Sequence, residues 1–163
     1  MDHLVTKRTF LGTAAAALGT LITGCGESVA EAVERFEVNK SPQEWRKILS
    51  PQQYAVLREE GTERAGSSPL DREKRKGTFA CAGCRLPVFS SAAKFDSGTG
   101  WPSFTAPISG AVRTKPDRGL FGTRTEVHCR RCGGHLGHVF DDGPAPTGKR
   151  YCMNGVAMTF IAA

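Results

Sequence analysis

The chain has 163 residues, 39% of them hydrophobic, and its 22 Lys and Arg against 16 Asp and Glu give a net charge of +6. That length holds one domain with a core large enough to fold without disulfides, which excludes a disulfide-stapled miniprotein. The charge is scattered: Lys74, Arg75 and Lys76 form the one tight basic run, beside Asp71 and Glu73. Without interleaved aromatics a solvated loop is favoured there over a nucleic-acid patch.

Residues 1–30 read as an export signal. Lys7-Arg8 precedes an apolar stretch from Gly12 to Gly24, too short to span a bilayer comfortably. Lys-Arg-x-Phe-Leu is similar to a twin-arginine signal with Lys for the first Arg. Leu21-Ile22-Thr23-Gly24-Cys25 is similar to a lipobox, which would make Cys25 a lipidated first residue tethered to a membrane surface. The alternative is cleavage after Ser28-Val29-Ala30, leaving a soluble protein in the cell envelope. Residues 31–40 are expected to be a linker or short helix, and 41–163 the folded domain.

Ser41-Pro42-Gln43-Glu44 predicts a helix start, with Ser as N-cap, Pro at the first position and Glu three residues after the cap. Trp45, Ile48 and Leu49 then share one face. Ser50-Pro51-Gln52-Gln53 repeats the signal and opens a second helix through Tyr54 and Leu57, stopped at Gly61. These helices are expected to pack on a β core and to carry no chemistry. From Gly77 onward the pattern is one of short strands: 77–80, 86–89, 123–128, 136–140 and one or two within 151–161. The composition fits a mainly β, mostly antiparallel domain with short N-terminal helices.

The six cysteines carry the chemistry. Cys81 and Cys84 form one C-x-x-C pair, and Cys129 and Cys132 a second. Four thiolates at this spacing suit a tetrahedral zinc, and a closed four-cysteine set points to a structural role. Gly83 and Gly133 are expected to supply permissive backbone. Disulfides are the competing arrangement in an exported protein, but a C-x-x-C disulfide closes too small a loop to stabilise much.

Cys152 stands apart in Arg150-Tyr151-Cys152-Met153-Asn154, behind His135-Leu136-Gly137-His138. On a strand, Arg150, Cys152 and Asn154 share a face. A guanidinium there favours a thiolate, and the amide can donate to a polar substrate oxygen. His135 and His138 are out of phase, so a bend at Gly137 is required for both to face one pocket. A lone Cys or His is by default inert; the convergence of these groups with Trp101 argues for a site.

Together with Phe95-Asp96-Ser97-Gly98-Thr99-Gly100-Trp101-Pro102-Ser103-Phe104 and the run His135 to Pro144, these motifs occur in the order seen in B-type methionine sulfoxide reductases, which the chain resembles over residues 40–160. The resemblance implies two antiparallel sheets, one structural zinc remote from the active site, and reduction of the R epimer of peptide methionine sulfoxide in the repair of oxidised proteins. It implies Cys152 as nucleophile, with His135, His138 and Asn154 holding and protonating the sulfoxide oxygen, and Trp101 with Phe140 walling the methyl group. Thr99 stands where relatives often carry a resolving Cys, which implies regeneration by an external thiol such as a thioredoxin-like protein. Gly133-Gly134 replaces a frequent acidic residue before His135. The rival functions are a zinc-stapled binding module, for which Cys152→Ser would be silent, and a thiol–disulfide exchanger, which zinc ligation of the C-x-x-C pairs opposes.

Overall fold

The computed structural model describes residues 34–119 and 122–163. The expected signal, lipobox and cleavage sites, Cys25 included, lie outside these residues. No helix among the described residues is long and apolar enough to cross a membrane.

Among the described residues two capped helices come first. In α1 (Pro42–Ile48) the Ser41 hydroxyl accepts from the Glu44 N–H while the Glu44 carboxylate accepts from Ser41 N–H at 2.8 Å. In α2 (Pro51–Glu59) Ser50 and Gln53 form the same reciprocal cap. Trp45 and Leu49, four apart, are buried, but Ile48 is 55% exposed, because α1 ends there and its one buried stripe runs through Trp45. The stop of α2 also differs from expectation. Glu60 takes the left-handed conformation (φ 55°), and Gly61 N–H then reaches back to the Ala55 carbonyl at 2.9 Å.

Among the described residues nine strands build two antiparallel sheets, as expected. The smaller has the order β2-β1-β9, from Pro87–Ser90, Gly77–Cys81 and Met158–Ala162. The larger has the order β3-β4-β8-β7-β6-β5, from Lys94–Phe95, Ser103–Phe104, Arg150–Met153, His135–Phe140, Gly122–Cys129 and Val112–Gly119. Phe79 and Phe89 of the small sheet meet Phe104 of the large one, with ring centroids 5.0 and 4.4 Å apart. All three are fully buried, which contributes about 1.5–3 kcal/mol each from water exclusion, with a smaller increment from ring contact.

Residues 34–40 form no helix. Val38 N–H bonds the Arg131 carbonyl, Glu37 pairs with Arg130, and Phe36 packs over Gly133, so this segment lies on the second cysteine pair and its neighbours.

Candidate functional site

The two C-x-x-C turns are built alike. Cys81 N–H bonds the Leu86 carbonyl and Arg85 N–H the Cys81 carbonyl; Cys129 N–H bonds the Gly134 carbonyl and Gly133 N–H the Cys129 carbonyl. The left-handed residue in each turn follows the second cysteine: Arg85 (φ 61°) and Gly133 (φ 66°). Gly133 therefore fills its expected place, whereas Gly83 does not, and Arg85 bears that conformation in the first turn. One turn ends β1 of the small sheet and the other ends β6 of the large one.

The four sulfurs lie within 4.8 Å of one another, with Cys81–Cys132 at 3.7 Å and Cys84–Cys129 at 3.4 Å. Ligands about 2.3 Å from a tetrahedral zinc stand about 3.8 Å apart, so the cradle fits the ion, and all four cysteines are free of disulfides. Contact with Cys129 pushes the Cys81 thiol up and pulls Cys84 down, because so many thiols cannot ionise together without a cation. The cluster fits a single structural zinc, and bound metal would join the two sheets.

Cys152 sits on β8, between β4 and β7, directly opposite His138 in one ladder and Ser103 in the other. Directly opposed residues project from the same face. The bend required between the histidines is a β-bulge: β6–β7 pairing steps from Val127↔Gly137 to His128↔His135, leaving Leu136 as the extra residue. At Gly137 a Cβ would collide with the Cys152 carbonyl oxygen and stand 2.9 Å from Met153 Cα, so only glycine allows this approach. The bulge brings the two imidazoles to 5.3 Å, edge to face.

A cleft of ≈ 140 Å³ opens above Cys152, lined by Thr62, Trp101, His138, Phe140 and Asn154 among others. His135 is not among its lining residues. It is 2% exposed, edge to face with His138, with Nδ1 at 2.9 Å from Glu126 and Nε2 buried without a partner among the described residues. Expected at the sulfoxide oxygen, it stands beside His138 and does not line this cleft. Arg150 does not line the cleft either. Its fork binds Asp142 at 2.9 and 2.8 Å and its guanidinium lies 4.5 Å from the Phe140 ring, so it props the wall from behind. Asn154 does line the cleft, but its Oδ1 accepts from Glu63 N–H and its Nδ2 donates to the Leu136 carbonyl, leaving one N–H for a ligand.

Burial pushes the Cys152 thiol up, and the Thr99 hydroxyl at 4.0 Å and Arg150 pull against that without reversing it. Burial thus opposes the thiolate that Arg150 favours. Burial also lowers His138, with an opposing pull from Asp117, whose Oδ2 is 2.8 Å from Nε2. The His138 bond and Arg124 hold Asp117 below the ordinary carboxylate range. Both shifts favour the uncharged forms, thiol and neutral imidazole.

Several contributors escaped the sequence analysis. Asp117 and Lys115 lie on β5, an edge strand that was not anticipated. Glu126, on β6, supplies the acid that the glycines before His135 lack, and Lys115 neutralises it at 2.9 Å. Glu63 accepts the Trp101 indole N–H on its carbonyl (3.1 Å) and the N–H groups of Gly155 and Val156 on its carboxylate (2.7 and 2.8 Å).

Residues 49–162 match the SelR domain. The chain belongs to the SelR/MsrB family. It is 58% identical over 124 residues to the peptide methionine sulfoxide reductase MsrB of Methanosarcina barkeri, covering 76% of this chain and 87% of that relative. It is 50% identical over 126 residues to the Leptospira interrogans MsrB, covering 77% and 96%. It is 49% identical over 137 residues to the chloroplastic peptide methionine sulfoxide reductase B1 of Arabidopsis thaliana, covering 83% and 68%. The family matches the resemblance carried by the sequence motifs.

Proposed function

We propose that the chain reduces the R epimer of peptide methionine sulfoxide to methionine, with Cys152 as nucleophile, in the repair of oxidised proteins. The observation that carries this reading is the cross-strand pairing of Cys152 with His138 beneath an aromatic cleft. Family membership supports the substrate and the epimer. Trp101 and Phe140 offer an apolar wall for the methyl group, while His138 and the spare Asn154 N–H face the polar oxygen.

A sulfoxide sulfur accepts a nucleophile only once its oxygen is protonated or strongly hydrogen-bonded. The resting site holds the needed proton on the thiol itself, and His138 is the group to carry it across. As Cys152 loses its proton and attacks, the substrate S–O bond breaks and the oxygen ends on Cys152 as a sulfenic acid. The substrate sulfur gains two electrons and the cysteine sulfur loses them. Among the described residues the remaining cysteines are the four of the zinc cluster. We therefore assign regeneration to an external reductant, such as a thioredoxin-like dithiol: one thiol displaces water to form a mixed disulfide, and the second releases Cys152.

Zinc-loaded protein given dithiothreitol and each epimer of a dabsylated methionine sulfoxide is expected to turn over R alone, and Cys152→Ser to abolish turnover. Equal use of both epimers, or activity in Cys152→Ser, would sink the assignment. A sulfenic-acid reagent is expected to label oxidised Cys152; an intramolecular disulfide would overturn external regeneration. The signal-like N-terminus supports an envelope location with a lipid on Cys25. Mass spectrometry of the mature protein tests this, and an unmodified terminus at Glu31 would refute the anchor.

A further inference from the structure

The cleft above Cys152 has room for one side chain, yet a peptide substrate brings main chain on both sides of its oxidised methionine. A second groove of ≈ 550 Å³ adjoins the cleft, and Thr62 lines both. Its apolar lining is Ala55 and Val56 of α2 with Pro69 and Val156, and its polar lining includes Thr62, Arg64 and Ser68. Between cleft and groove stands Glu63. Its N–H and carbonyl hold Asn154 and Trp101 on the cleft side, and its carboxylate holds the Gly155 and Val156 amides.

We propose that this groove receives the substrate chain next to the oxidised methionine, and that Arg64 favours an acidic residue there. The inference rests on the reductase reading above. Three observations carry it. The groove neighbours the cleft, with Thr62 lining both, so a chain leaving the methionine pocket on that side meets it first. Its mixed lining suits an extended peptide, with apolar surface for a side chain and hydroxyls for main-chain groups. Its charge is also defined. The Glu63 carboxylate is taken up by two N–H groups, whereas Arg64 is exposed and joins no ion pair among the described residues. A free guanidinium at the rim attracts an anionic flank and repels a cationic one.

The test compares the R epimer of N-acetyl-methionine sulfoxide amide with peptides extended on one side only by Asp, Ala or Lys, using zinc-loaded full chain and its Arg64→Glu variant. Extension on one side is expected to raise kcat/KM, with Asp preferred to Lys by about tenfold. Arg64→Glu is expected to reverse that preference and leave the small amide unchanged. If extension on neither side helps, or the Asp-to-Lys ratio survives in Arg64→Glu, the groove is not a subsite. Failure to turn over the small amide and every extended peptide refutes the reductase reading itself, and the subsite with it.

Discussion

Glu126 is a sharp place to probe how the site is held, because a carboxylate 2% exposed needs its partners. Burial alone would raise its pKa; the bonds from His135 and Lys115 outweigh that and bring it below the ordinary glutamate value. Glu126→Gln keeps an acceptor for the His135 Nδ1–H but removes the charge. A buried hydrogen bond to a charged group contributes about 1.5–3 kcal/mol. The Lys115 ion pair adds little, since its ammonium is half exposed. The expected loss is about 2 kcal/mol, or roughly 6 to 8 °C in Tm. The sign with pH follows from the lowered pKa. The stabilisation is fully present above the unfolded value near pH 4.3, and is lost as the pH falls through the lower folded value. Urea titrations of parent and variant from pH 7 to 3 should therefore show a gap that closes toward acid. A gap constant down to pH 3, or no gap at pH 7, would refute this account of Glu126.

Other outcomes are equally specific. Arg150→Met should slow alkylation of Cys152 by iodoacetamide and move its alkaline rise to higher pH, because Arg150 is one of the groups pulling the thiol down against burial; an unchanged profile would remove Arg150 from that role. Stripping the metal with a chelator should release one zinc per chain and lower Tm steeply, since the ion would join β1 to β6. A metal-free protein as stable as the zinc form would contradict a structural role. Glu63→Gln should raise KM more than it lowers kcat, with a shifted Trp101 emission in a Trp45→Phe background, because it weakens the bonds to the Gly155 and Val156 amides that fix residue 63, whose backbone holds Trp101 and Asn154, and leaves the Cys152–His138 pair intact. Equal effects on kcat and KM would count against that division.

Features fixed by local chemistry were legible before the fold was known. The two Ser-Pro caps, the C-x-x-C turns and strand 150–153 each declare themselves within a few residues. The need for a bend at Gly137 was also legible, because out-of-phase histidines cannot share a face without one. The hairpin strand Val112–Gly119 was not. It is an edge strand, mostly exposed and charged, with Pro116 inside it, so it lacks the apolar alternation by which buried strands are recognised. Its loss hid Lys115 and Asp117, and with them the electrostatic setting of both histidines. Glu63 was hidden for another reason. All four of its bonds use or meet backbone groups, and side-chain patterns carry no trace of those. For Cys152 the sequence shows the neighbouring guanidinium that favours the thiolate but not the burial opposing it.

The nucleophile and its imidazole face each other across a ladder of main-chain bonds, while the groups that grip substrate hang from segments such as 62–68 and 97–101. Reactivity is thus written into the rigid frame and selectivity into its appendages. Heating should erode discrimination among substrates well before it slows the oxygen transfer, and swapping those appendages offers a way to retarget the catalyst without rebuilding its centre.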